Sequence, residues 1–222
     1  MPSNIDWFPL WLSLRVAALA TVISLVLGLA LAYLLANHKF RGREVLDALT
    51  TLPIVLPPTV LGYYLLVVLG RDSILGRLHE KVWGAPLVFT WQAAVVASTV
   101  HAVPLLVKAA RAALESVDRS LEDAARTLGA SEWRVFLRIT LPLARRSVAA
   151  AAVFAFARAL GDFGITIMIA GNIPGRTQTM AVAIYDAVES GNGALARTLV
   201  LVISAVAIVV LYSMNRLQQA AK

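Results

Sequence analysis

An arginine and an aspartate interrupt a long apolar stretch in the last third of the chain. Arg158 and Asp162 lie four residues apart within 143–170, so a helix would place both on one face. In a bilayer an isolated charge costs roughly 2.5–3.5 kcal/mol, and pairing lowers that cost. The spacing therefore predicts a pair that faces protein or water. The pair could form the outer gate of a membrane path, with Gly161 and Gly164 allowing close helix approach, or it could simply lock helices together.

Three prolines lie in a second apolar stretch, 48–70. Proline inside a helix removes a backbone hydrogen bond and clashes with the carbonyl four residues earlier. Pro57 and Pro58 therefore predict a break, with a new half-helix starting at about Pro58 whose first turn carries partial positive charge. Such broken helices can face an anionic substrate, which makes Pro57, Pro58 and Thr59 candidate path residues. A packing kink without a ligand role explains the same prolines.

A polar segment between these stretches carries helix start and stop signals. Ser120 can cap a helix together with Asp123, and Gly129 can end that helix in the left-handed conformation. Ser131 can cap a second helix, and Pro142 suits the first turn of the next one. The segment therefore predicts two short helices that meet at a glycine corner, followed by a turn into a membrane-crossing helix.

The first of these short helices presents a small apolar face. Ala124 and Ala125 are flanked by Leu121 and Leu128, so another backbone could approach closely. This pattern fits a helix that docks into a groove of a partner protein. It fits equally an amphipathic helix that lies on the lipid surface.

Composition places all these residues in a membrane protein. Of 222 residues, 59% are apolar and only 15% are charged, against about 25% in ordinary soluble domains. The mean hydropathy is +0.75. A soluble domain of this size has too little interior to bury that much apolar surface, which excludes a typical soluble enzyme. The chain has no Cys, which excludes disulfides. It has three scattered His, which disfavour a metal site.

The apolar stretches predict an all-α, polytopic helical bundle that forms one transmembrane domain over 1–222. A spanning helix needs about 20 apolar residues. The predicted spans are about 12–36, 48–70, 86–107, 143–170 and 194–214, with a long polar loop at 108–142. The first span could be read as a signal peptide, but Asp6 rather than a basic cluster precedes it and the apolar run exceeds that of a signal peptide, so we expect a membrane span.

Basic residues predict the orientation. Thirteen Lys and Arg fall in 37–47, 108–146 and the C-terminal tail, whereas four fall in the loops of the opposite side. Cytoplasmic loops collect Lys and Arg. We therefore expect the N-terminus outside, the C-terminus in the cytoplasm and the loop 108–142 in the cytoplasm. The net charge of +7 has this topological explanation and does not indicate nucleic-acid binding.

The polar loop resembles the EAA loop of the membrane subunits of ABC importers. The resemblance rests on Asp123-Ala124-Ala125, then Gly129, then Ile139-x-Leu-Pro142, with Asp123 in place of the family's Glu and Glu122 just before it. It implies the type I importer permease fold and a coupling helix that docks into a separate ATPase subunit. The implied coupling residues are Glu122, Asp123, Ala124, Ala125, Leu128, Gly129, Ile139 and Pro142.

Further segments resemble the molybdate permease subunits of this family. They are 52–64, 125–131, 136–143, 156–164 and 170–175, with Asp162-Phe-Gly where the family usually has Glu-Phe-Gly. The resemblance implies a permease in the bacterial inner membrane that works with a second copy of itself, two copies of an ABC ATPase and an extracytoplasmic oxyanion-binding protein. Tungstate, sulfate and thiosulfate permeases share much of the pattern, so they stay alternatives to molybdate.

The residues themselves limit other functions. The chain has no Gly-Lys-Ser/Thr P-loop, so ATP and Mg²⁺ are expected on the partner ATPase and no cofactor on this chain. An intramembrane enzyme would need a catalytic constellation, which the sequence does not offer. A membrane scaffold would explain neither the proline break nor the paired membrane charges.

Overall fold

The computed structural model describes residues 6–38 and 40–220, and this part of the chain contains helices and no strand. Lys39 and Lys222, both counted for the orientation, lie outside it. The helices are α1 (Phe8–Asn37), α2 (Arg43–Val55), α3 (Pro58–Leu69), α4 (Ile74–Trp83), α5 (Trp91–Glu115), α6 (Arg119–Thr127), α7 (Glu132–Val135), a π-helical segment (Phe136–Thr140), α8 (Leu141–Leu160), α9 (Gly164–Ala170), α10 (Met180–Glu189) and α11 (Gly193–Ala220).

Helix α5 forms the centre of the bundle and packs against α1, α8 and α9. Small side chains make this contact close, because α1 buries Ser and Ala at nearly every turn of the face towards α5. A Cβ on Gly28 would lie only 2.4 Å from Leu106 Cδ2. Small residues let membrane helices approach in this way, where lipid offers no hydrophobic drive for association.

Four helices in the described part are long and apolar enough to cross a membrane: α1, α5, the continuous helix Glu132–Leu160 and Gly193–Ser213 of α11. Helices α2 and α3 make a fifth if the bent pair counts as one span, which gives the predicted number. The predicted break in that span is present, because α2 ends at Val55, α3 starts at Pro58 and the two helices bend by 116°.

The fourth predicted span has different bounds. The prediction of a turn into the membrane near Pro142 is wrong, because α7, the π-helical segment and α8 form one continuous helix from Glu132 to Leu160. Pro142 offers no N–H to the carbonyl of Arg138, and the wide π turn takes up this interruption without ending the helix. At the other end α8 stops at Leu160. The predicted span 143–170 is therefore not one helix, because it consists of most of α8, a break and the short α9.

The start of α6 also differs from the prediction. Asp118, rather than Ser120, caps this helix, and its carboxylate accepts a hydrogen bond of 2.9 Å from the backbone N–H of Ser120. That hydrogen bond holds the pKa of Asp118 below its usual range. The predicted glycine corner is present, since Gly129 has φ +81° between α6 and α7.

Candidate functional site

Two helix breaks come together on one side of the bundle. Helix α3 starts at Pro58 and α9 starts at Gly164, each directly after a break. A Cβ on Gly164 would lie 2.6 Å from Pro58 Cβ, and a Cβ on Gly62 would lie 2.6 Å from Met168 Cβ. A glycine of each half-helix therefore packs against a side chain of the other, and the first residues of the two half-helices are in contact. The predicted role of Gly161 in close helix approach is wrong, because a Cβ there would meet only Ala157 O of its own helix, at 3.7 Å.

The proline break is accessible on the surface of the single chain. Pro57, Pro58 and Thr59 are exposed, although α3 packs against α9 a turn later. The N–H groups of Val60 and Leu61 donate to the carbonyl of Pro57, at 2.9 and 3.2 Å, so these two donors of the first turn of α3 are satisfied. In a bilayer, exposed irregular backbone must line a water-filled cavity or meet protein.

The predicted pair of Arg158 and Asp162 is present. Arg158 Nη1 lies 3.7 Å from Asp162 Oδ1. The side chain of Asp162 is 1% exposed and that of Arg158 is 33% exposed. Asp162 lies in the break after α8 rather than on the helix, so the pair forms across the end of α8 and not along one helical face as predicted.

Two further residues complete the surroundings of Asp162. His101 Nδ1, on α5, lies 3.0 Å from Asp162 Oδ1, and Thr166 Oγ1, on α9, donates to Oδ2 at 2.6 Å. The guanidinium of Arg158 also contacts the imidazole ring of His101. Neither His101 nor Thr166 is among the residues that the sequence predicts for this site. The sequence signals for them are that His101 is the one ionisable residue in 86–107, and that Thr166 follows Asp162 by four residues.

This network has a clear electrostatic consequence. The buried carboxylate is hydrogen-bonded by His101 and Thr166 and stays close to Arg158, which lowers the cost of burying it. Asp162 thereby forms an ion pair with an arginine whose side chain is 33% exposed on the surface of the chain. A fixed guanidinium with free N–H groups can bind an oxyanion or close a path by pairing. In the described residues no group of three or more His, Asp and Glu is placed to hold a metal ion.

The second candidate site is the polar segment that contains α6 and α7. Asp123, Ala124, Leu128 and Gly129 are exposed, and Leu128 is 89% exposed. Exposed apolar residues also include Leu121 and Trp133. Apolar side chains that open to the surface around a small helix mark an interaction surface.

The other predicted coupling residues lie differently. Ala125 and Ile139 are half-buried, and Pro142 is exposed at the start of α8. Glu122 is buried, at 8% exposure, and its Oε1 accepts a hydrogen bond of 2.5 Å from Thr140 Oγ1. Its Oε1 therefore points into the protein, whereas Oε2 lies 3.4 Å from Nη2 of Arg126 on the same helix.

Arg126 connects the two short helices across the glycine corner. Its Nε lies 2.8 Å from Glu132 Oε1, and its Nη1 lies 2.7 Å from Asp123 Oδ1. These hydrogen bonds raise the pKa of Arg126 above its ordinary value, although burial acts in the opposite direction. The corner between α6 and α7 thus has a defined shape.

Comparison with known proteins identifies the family of this chain. Residues 24–221 match the family described as binding-protein-dependent transport system inner membrane component. The chain is 46% identical over 188 residues to the molybdenum transport system permease protein ModB of Escherichia coli K12, covering 85% of this chain and 82% of ModB. It is 38% identical over 217 residues to ModB of Azotobacter vinelandii, covering 96% of both chains.

The chain is also similar to the sulfate transport system permease protein CysT of Escherichia coli K12, with 33% identity, covering 91% of this chain and 73% of CysT. Among solved structures, the inward-facing MetNI methionine ABC transporter matches with a TM-score of 0.78 at 18% identity, covering all of both chains. A bacterial ABC transporter for alginate import matches with a TM-score of 0.78 at 16% identity, covering 98% of this chain and 80% of that one. The fold is that of type I ABC importer permeases, and the chain belongs to the family of inner membrane components of binding-protein-dependent transport systems.

Proposed function

We propose that this chain is the membrane-spanning subunit of an ATP-driven importer for a tetrahedral oxyanion, and that the oxyanion is molybdate. The observation that carries the substrate is the 46% identity to ModB of Escherichia coli over 85% of the chain. The network around Asp162 supports an anionic cargo, because it holds one partly exposed guanidinium in place.

A sulfate permease is the second candidate. The similarity to CysT supports it, at 33% identity over 91% of this chain. Tungstate shares the size and charge of molybdate and would follow the same path. Sulfate is smaller, so competition between these ions in uptake separates the two candidates.

The path in this proposal lies between two copies of the chain. A single bundle encloses no wide channel, and a two-fold dimer with the path on its axis is the simplest closed arrangement. The exposed break at Pro57, Pro58 and Thr59 would then face the path rather than lipid. Arg158 and Asp162 would close it towards the outside, where binding-protein-dependent systems receive their cargo.

Coupling in this proposal uses the segment around α6. The exposed Leu128, together with Asp123, Ala124 and Gly129, would dock into a groove of an ATPase subunit, and each of the two copies would take one ATPase. ATP and Mg²⁺ would be bound there and not on this chain. The distribution of basic residues supports an orientation with α6 in the cytoplasm and the loop before α4 outside.

The test is functional replacement in cells. The chain, expressed with its own ATPase and binding protein, should restore molybdate accumulation in a bacterial strain that lacks its molybdate permease. The ATPase should co-purify with the chain from the membrane. Restored sulfate uptake in a strain that lacks its sulfate permease, without restored molybdate accumulation in the first strain, would favour the second candidate. Failure to bring down any ATPase would contradict both.

A further inference from the structure

Glu122 differs from its neighbours in the segment around α6. Its side chain is buried, whereas Asp123 next to it and Leu128 two turns later are exposed. Its Oε1 accepts a hydrogen bond of 2.5 Å from Thr140, which is itself only 3% exposed. Glu122 and Thr140 lie eighteen positions apart in the sequence, so this bond joins α6 to the first third of the long helix Glu132–Leu160.

Thr140 occupies an unusual place in that helix. It is the last residue of the π-helical segment, in which the N–H of Leu141 donates to the carbonyl of Phe136. Such wide turns are rare and frequently lie at functional sites. Beyond it, α8 runs without interruption to Leu160 and carries Arg158 roughly 27 Å from Thr140, at about 1.5 Å per residue.

The bond differs in strength from the other polar link between α6 and this helix. Arg126 pairs with Glu132, but the side chains are 34% and 62% exposed, and exposed ion pairs contribute little. The bond of Glu122 to Thr140 is buried, and burial makes a hydrogen bond both stronger and more costly to lose. Phe136, at the start of the π-helical segment, packs on Tyr33 of α1 with ring centres 4.6 Å apart.

We propose that the Glu122–Thr140 hydrogen bond transmits movement of α6 to α8, and that Thr140 is a positioning residue for Arg158. This rests on the proposed function, in which α6 moves with an ATPase. Displacement of α6 then pulls on the wide turn at Thr140. Helix α8 is continuous above that turn, so the displacement reaches the guanidinium and its contact with Asp162.

The first measurement is the number of oxyanions imported per ATP hydrolysed by the complete complex in proteoliposomes. Thr140→Val keeps the shape of the side chain and removes the donor, whereas Thr140→Ser keeps the donor. Thr198→Val is the matched control, because Thr198 Oγ1 donates only to Ala194 O of its own helix. We expect Thr140→Val to keep most ATP hydrolysis and lose about tenfold in imported ions, within the range for residues that couple sites. Thr140→Ser and the control should match the wild type.

The second measurement does not depend on the identity of the ion. The chain has no Cys, so Phe154→Cys, at an exposed position of α8, gives a single label. When Phe154→Cys is the only substitution, ATP should change the rate at which this cysteine is labelled in the complex. That change should disappear with Thr140→Val and remain with Thr140→Ser.

Three results would overturn the inference: normal coupling and labelling in Thr140→Val, equal losses in Thr140→Ser, or a loss of ATP hydrolysis that matches the loss of import. A wild-type complex that hydrolyses ATP but imports no oxyanion would contradict only the proposed substrate. The labelling measurement would still show whether Thr140 transmits the movement of α6.

Discussion

Gly164 lies against Pro58 so closely that a Cβ on the glycine would come within 2.6 Å of Pro58 Cβ. These are the first residues of α9 and α3, and each follows a break in a membrane-crossing segment. The contact therefore fixes where two half-helices begin relative to each other. It also places the proline break beside the segment that carries Asp162.

Gly164→Ala should separate these half-helices. The new methyl group meets the rigid ring of Pro58, and overpacking of this kind costs about 1–3 kcal/mol. We expect a lower unfolding temperature of the purified chain in detergent and reduced oxyanion uptake. Gly193→Ala is the control, since a Cβ there meets nothing within 4 Å. Equal stability of both variants would show that α3 and α9 do not need this close contact.

Arg158 and Asp162 should depend on each other. Arg158→Ala and Asp162→Ala each leave one charge without its partner, so each should impair assembly or transport, and the double variant should recover part of the folding loss. A double-mutant cycle on unfolding measures the interaction, which we expect at about 0.5–3 kcal/mol. If the pair is a gate, the recovered double variant still fails to couple ATP hydrolysis to uptake. Additive effects would mean that the two side chains do not interact.

Leu128→Arg should prevent the ATPase from binding while the bundle stays folded, because Leu128 is 89% exposed and makes no part of the core. Ala125→Arg should act in the same way, and Gly129→Leu adds about 1–2 kcal/mol of backbone strain at φ +81°. Co-purification of the ATPase measures the effect. Ile74→Arg, another exposed apolar residue on the proposed outer side, should leave ATPase binding unchanged. An ATPase that still co-purifies with Leu128→Arg would remove α6 from the docking surface.

Single cysteines should report the orientation directly, since the natural chain has none. A membrane-impermeant maleimide should label Asp72→Cys from outside intact cells and label Arg134→Cys only after the membrane is opened. Both positions are exposed in the structure. The reverse pattern would place α6 outside the cell, beyond the reach of ATP.

The sequence predicts the long helices well because their apolar runs are longer than the bilayer requires. It also predicts the break at Pro58, since two adjacent prolines act locally on the backbone. The break after Leu160 is different. Gly161 and Asp162 are compatible with a helix, and the partner that stabilises the break, His101, lies 61 residues earlier in the chain.

The same limit applies to the segment around α6. Its exposed face follows from the local pattern of Leu121, Ala124 and Leu128. The burial of Glu122 does not follow from the local pattern, because it depends on a hydrogen bond from Thr140, which lies on the other side of the glycine corner. Glu122 and Asp123 are adjacent carboxylates that the sequence pattern does not distinguish, and only the tertiary packing determines that Glu122 is the buried one.

The central claim is that this chain imports molybdate at the expense of ATP. The most direct measurement uses proteoliposomes that contain the chain with its ATPase, with binding protein and radioactive molybdate on the side of the binding protein and ATP on the side of the ATPase. The account predicts molybdate accumulation that requires ATP, is inhibited by excess tungstate and is unaffected by excess sulfate. Accumulation that does not depend on ATP, or that sulfate abolishes while tungstate does not, would contradict it.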